Sequence, residues 1–234
     1  MNMATRQQKN QMLGFWGERF PGYAPFDAQF LLIRNGPLVS GVCLNSLREP
    51  QKYRPIYFVA NMLELPDCIP LMYGYEPVTR FTPLELKYLD SDISVAAELM
   101  FSNAPFLRMP GSHGGYLQQM ESCLLQETKG FRKDFEAPSV LTDLIGVAAY
   151  CGDTEFAQEL LVEATSVLTQ LLDNGTLEMP LDAWVARTRT AMERSEKAVQ
   201  THCAAIGLPP LPNQGLSYSR DAARTWRILA LLRP

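Results

Sequence analysis

Two apolar runs, residues 29–34 and 37–44, meet at Asn35-Gly36, and no other junction in the chain limits the fold as tightly. Asn-Gly is a favoured pair for a two-residue hairpin because both residues accept positive φ. Pro37 can open the returning strand but cannot sit in its interior, since proline has no N–H to donate to a ladder. A third run, residues 55–60, is Pro-Ile-Tyr-Phe-Val-Ala and has strong β composition. The three runs make an antiparallel meander, and a fourth short strand is expected near residues 69–75. Most of the 17 prolines fall in residues 21–110, which favours loops and short strands over long helices there.

Helical signals dominate elsewhere. Residues 5–16 have a helical look and end at Gly17. From residue 82 the pattern changes: Thr82-Pro83-Leu84-Glu85 reads as a capping box with proline at the first helical position. A second helical piece runs to Asn103, and residues 104–115, with two prolines and three glycines, read as a loop. Further helices are expected over residues 116–135 (with a weak point at Gly130), from Ser139 to Gly152, over 180–207, and from a cap at Ser219 to Leu232. Between Asp153 and the stop signal Asn174-Gly175, the residues Phe156, Leu160, Ala164, Val167 or Leu168, and Leu171 recur at helical spacing. The expected fold is α+β: a small N-terminal meander of three to four strands (residues 1–80) packed with a C-terminal bundle of five to six helices (81–234), in one compact domain.

The stretch Ala148-Ala149-Tyr150-Cys151-Gly152-Asp153-Thr154-Glu155-Phe156-Ala157, followed by Leu160-Leu161, resembles the join between paired helices in ankyrin-type repeats. It covers about fifteen residues and does not recur at a 33-residue period, so the resemblance implies a helix pair and not an array.

Charge is the main long-range pattern. Residues 1–80 carry 8 basic and 6 acidic residues (+2), residues 81–180 carry 5 and 15 (−10), and residues 181–234 carry 8 and 4 (+4), which sum to the net −4. Within the acidic middle, Glu155, Glu159 and Glu163 fall at i, i+4 and i+8 and so share one helix face, with Asp153 and Asp173 extending it. No lysine or arginine on that helix relieves them. Near the C-terminus Arg220, Arg224 and Arg227 share a face in the same way. The two stripes are either separate solvated faces, an ion-pair seam within the fold, or contacts for a partner of opposite charge. An acidic excess disfavours nucleic acid as the partner.

Catalytic and metal signatures are sparse. There is no Cys-x-x-Cys and no His-Glu-x-x-His, and no metal or cofactor is expected. The five cysteines are odd in number and widely spaced, which suits free buried thiols in a reducing cytoplasm. No apolar run reaches the roughly 20 residues needed to cross a bilayer, and the polar start, residues 1–9, does not read as a secretory signal. His202 and Cys203 are adjacent on a helix, about 100° apart, and cannot form a dyad. His113, in Gly111-Ser112-His113-Gly114-Gly115, is the one candidate acid or base, beside a helix start that can hold an anion. The aromatic run Phe15, Trp16, Phe20, Tyr23 and Phe26 either drapes over the core or presents anchors to a partner.

These features favour a non-enzymatic intracellular protein-binding module, such as an inhibitor or immunity-type protein holding its acidic face against a basic protein. The alternative is an enzyme acting on an anionic small molecule through the His113 loop, with Arg108 beside it. Self-association through the C-terminal helices is a third route.

Overall fold

The computed structural model describes residues 5–46, 52–77, 84–85, 91–125, 133–211 and 213–234. The fold is α+β, as expected: an N-terminal antiparallel sheet followed by a helical C-terminal part. Helix α1 (Arg6–Arg19) starts at a capping box between Thr5 and Gln8, in which each side chain bonds the other residue's amide. Strands β1 (Ala24–Phe26), β2 (Phe30–Asn35), β3 (Leu38–Ser46), β4 (Lys52–Asn61) and β5 (Leu84–Glu85) pair in sequence order, each antiparallel to the next.

The β2–β3 hairpin is present, with its turn one residue later than Asn35-Gly36. Asn35 pairs with Leu38, so Gly36 and Pro37 are the central residues, and only Gly36 takes positive φ (59°). Glycine first in a two-residue loop suits the turn type that needs positive φ at that position alone. Pro55 lies inside β4, opposite Leu44. Two residues on, the Tyr57 amide points away from β3 and donates to the Tyr75 carbonyl. By the same alternation the Pro55 nitrogen points outward, so no β3–β4 bond is lost. Gly41 of β3 is sterically required: a Cβ there would stand 2.1 Å from the Leu31 carbonyl oxygen.

Several local readings are corrected. The expected strand at residues 69–75 is irregular, with positive φ at Tyr73; it touches β4 through the Tyr57–Tyr75 bridge and a bond from the Val59 amide to the Met72 carbonyl. The outer strands are instead β1, whose Pro25 is tolerated on an edge, and β5. Leu84–Glu85 therefore pairs with β4 where a helix start was expected, while Thr82 and Pro83 lie outside the described residues. Residues 104–115 hold helix α3 (Pro105–Arg108), with proline in its first turn, and the start of α4 (His113–Leu125). The weak point at Gly130 lies outside the described residues. Helix α5 (Lys133–Tyr150) runs through Pro138, so Ser139 is not its cap. The Pro138 carbonyl is bonded by Thr142 Oγ1 (2.9 Å) and Trp184 Nε1 (3.0 Å), which secures the helix at that point. The helix expected over 180–207 is two, α7 (Leu181–Met192) and α8 (Glu196–Ala205), because Ser195 caps the second through the Ala198 amide. The last helix, α9 (Ala222–Leu232), is capped by Asp221 and not Ser219.

The sheet is covered on both faces, and β3 is buried from Leu38 to Leu44. One face meets α1, where Trp16 Nε1 donates to the Tyr53 hydroxyl at 3.1 Å. Trp16 and Phe20 are buried, and Phe20 stacks on Phe101 of α2 (Ser91–Asn103) at 5.2 Å. The N-terminal aromatic run thus packs chiefly inward. In the helical part α5 is central, touching α6 (Thr154–Asp173), α7 and α9, while α4 packs on α9. Phe156, Leu160, Ala164, Val167, Leu168 and Leu171 of α6 are all buried. The five thiols are free, and Cys68 is exposed where a buried thiol was expected. Among the described residues no helix is long and apolar enough to cross a membrane.

Candidate functional site

The charged residues singled out in the sequence fall on α6 or just before it, on α9 and on the segment between α8 and α9. Residues 155, 159, 162 and 173 are spaced so that they lie within about 60° of one another around a helix, and 18 residues make about five turns, or 27 Å. Glu155, Glu159, Val162 and Asp173 are all exposed, so they form one outward stripe along α6. Val162 is 69% exposed and lies among the acids.

The five acidic members do not share one environment. Asp153, just before α6, accepts from the Tyr218 hydroxyl (2.9 Å) and from Arg220 Nε (2.7 Å) and Nη2. The guanidinium, with help from the tyrosine, holds its carboxyl down at about 2. Glu163 is paired with Arg233 at 3.3 Å. Glu155 and Asp173 make no hydrogen bond or ion pair among the described residues, and Glu159 feels the Arg220 charge without pairing with it.

The arginines are likewise partnered within the fold. Arg220 lies ahead of α9, not on it, and also stands 4.8 Å over the Phe156 ring. Arg224 and Arg227 both reach Glu121 of α4, at 3.1 and 3.2 Å, and Arg224 adds Asp221 at 3.0 Å. The stripe of three arginines thus fastens the C-terminal segment to α4 and to the start of α6. Beside it, Trp226 packs edge-on to Phe156 at 5.9 Å and stays 37% exposed.

His113 is 3% exposed. Its Nδ1–H donates to the Ser219 carbonyl (2.9 Å), its ring lies 4.5 Å from that of Tyr218, and its amide bonds Ser217. Burial lowers its pKa, which keeps the ring neutral. The glycine loop is filled by the chain's own residues 217–219, and Arg108 is exposed beyond it. His202 is half-buried, with Nε2 on the Pro66 carbonyl at 2.8 Å.

Two buried polar groups escaped the sequence reading. Asp143 of α5 accepts from the hydroxyls of Tyr73 (2.7 Å) and Tyr116 (3.1 Å), and burial pushes its carboxyl up to about 7. A lone acid in the apolar helix run Val140-Leu141-Thr142-Asp143-Leu144-Ile145 was the available signal. Arg34 of β2 is buried against Glu196 of α8, 162 residues away, and nothing local announces such a pair. Among the described residues no three His, Cys, Asp or Glu converge as metal ligands. No family model, curated protein or solved structure matches this chain.

Proposed function

We propose that this chain is a non-catalytic, cytoplasmic protein-binding module of inhibitor or immunity type, which docks a basic protein on the outward side of α6. The observation that carries the reading is the unpaired set Glu155, Glu159 and Asp173, aligned with the exposed Val162 on a helix that has no lysine or arginine. Asp173 also sits at the negative end of the helix dipole, where an acid works against folding. A stripe of one sign steers a complementary partner and sets its encounter rate, whereas an apolar side chain in its midst gives the contact somewhere to exclude water. Trp226 beside Phe156 adds an aromatic anchor where α9 meets α6. Asp153 and Glu163, already held by arginines of the chain, serve the fold first and contribute little free charge. Five free thiols suit a reducing compartment.

The test is paired affinity capture from the native host, with wild type and the variant Glu155→Lys/Glu159→Lys/Asp173→Lys immobilised side by side. The reading predicts a basic protein retained by wild type and lost from the variant, with the uncharged substitution Val162→Ser weakening retention at unchanged charge-driven encounter. Equal retention by both surfaces removes the stripe from the account. Light scattering on the free protein separates this from self-association through the C-terminal helices.

A further inference from the structure

Apart from the α6 stripe, a second feature is a cleft beside α8 that a buried arginine lines. Arg34 is 4% exposed, and its side chain lies under α8. Nε donates to the Gly36 carbonyl at 3.0 Å, and Nη2 donates to both carboxylate oxygens of Glu196, each at 2.6 Å. Glu196 is further held by the Tyr150 hydroxyl and by Gln200 Nε2 at 2.7 Å, so its acceptor capacity is used. Nη1 of Arg34 has no acceptor among the described residues. Nη1 is not fully buried, so water reaches it in the cleft, and an anionic oxygen can replace that water in a charge-assisted bond.

Arg34 also lines a cleft of about 350 Å³, together with Gln200, Cys203 and Ala204 of α8 and the turn that runs from Leu208 through two prolines to Leu211. That volume lies at the small end of the range for ligand sites, and the make-up is the usual one of apolar walls around a few placed polar groups. Arg34 and Leu208 are buried, whereas Gln200 and Ala204 are exposed. Burial raises the Cys203 thiol, so it lines the cleft in its protonated form and reacts slowly with electrophiles. The charge of Arg34 is offset by Glu196 beside it. A dianion such as phosphate therefore meets a carboxylate at close range, while a single negative charge, or one oxygen of it, matches the free nitrogen.

We propose that this cleft binds a small branched monocarboxylate, one carboxylate oxygen accepting from Nη1 of Arg34 and the branched end lying against Leu208, the two prolines and Leu211. The ligand is read by three features at once: one negative charge, a short reach from that charge to the apolar end, and a bulk that suits the cleft.

Isovalerate is the probe, with methyl isovalerate and inorganic phosphate as separate arms against the full chain. Two readouts run together: amide shifts over residues 200–211 by NMR, and the rate at which iodoacetamide alkylates Cys203, followed by peptide mass. Saturable shifts at low-millimolar isovalerate, with several-fold slower alkylation, are expected in that arm alone. Ala204→Trp, which fills the cleft from an exposed position and leaves the Arg34–Glu196 pair in place, should abolish both responses. Arg34→Lys keeps the charge but loses the fork, and should weaken binding at least tenfold. The proposal is overturned by absence of saturation with isovalerate, by an equal response to the ester or to phosphate, or by an Ala204→Trp chain that still binds.

Discussion

Asp143 and Asp153 sit ten residues apart and titrate in opposite directions. In the interior, Asp143 is enclosed by Tyr73, Tyr116 and the apolar side of α5, and burial lifts its carboxyl to about 7 despite two hydroxyl donors. At the surface, Asp153 meets Arg220 and Tyr218, and its carboxyl falls to about 2. The same functional group is a cost to folding in one place and a fastening in the other, because desolvation governs the first and a neighbouring cation governs the second. The contrast also bears on function. Once the C-terminal arginines have been matched to Asp153, Glu121 and Glu163, the remaining carboxylates of α6 make no ion pair among the described residues: Glu155 favours the dipole at the helix start, Glu159 lies in the field of Arg220, and Asp173 sits at the unfavourable end.

The largest effect should come from Asp143→Ala. At pH 5, where the carboxyl is protonated, the substitution leaves the Tyr73 and Tyr116 hydroxyls without their partner and opens a cavity, so urea unfolding should show a loss of about 3 kcal/mol. A stability unchanged within about 0.5 kcal/mol would break the interior half of the comparison.

Asp143→Asn sharpens it. A carboxyl whose folded value is raised binds a proton that the unfolded chain has released, so this group destabilises the native state as pH rises from about 4 to about 7. Its slope approaches 1.4 kcal/mol per pH unit. Wild type should therefore lose on the order of 2 kcal/mol between pH 5 and 7 relative to the asparagine variant; parallel curves would contradict the assignment.

Asp153→Asn should act with the opposite sign and more locally. A depressed carboxyl contributes stability that is fully present above about pH 4 and is lost as pH falls towards 2, so the variant should show a flatter acid limb. Its amides over residues 213–221 should exchange several-fold faster, since the Tyr218 and Arg220 contacts hold that segment. The smallest effect belongs to Glu121→Gln, whose partners Arg224 and Arg227 are partly exposed; thermal unfolding should move by no more than about 0.5 kcal/mol in equivalent stability.

Much of the framework was legible in the sequence because it is local. The Asn35-Gly36 junction marked the hairpin, and the spacing from Phe156 to Leu171 marked α6 and its buried face. What failed was local signal that two structures share. Leu84–Glu85 carries letters that suit a helix start and pairs as an edge strand. Pro25 hid β1, since a proline argues against a strand although an outermost strand tolerates it. Ser195 is an ordinary cap set within a helical pattern, and it divides α7 from α8. The charge pattern was legible as composition and not as contacts. Arg220 finds Asp153 across 67 residues and Arg34 finds Glu196 across 162, distances at which sequence spacing carries no geometric information. His113 stood out as a loop residue with glycines around it, yet the partner that covers it, residues 217–219, comes from the far end of the chain.

The central claim is that Glu155, Glu159 and Asp173 are spare within the fold and act between molecules. It is tested most directly by stopped-flow association of the captured basic partner with wild type and with the triple lysine variant, at low and high ionic strength. The account predicts a variant that unfolds like wild type, associates at least tenfold more slowly at low salt, and loses most of the salt dependence. Equal association rates at both salt concentrations would contradict it.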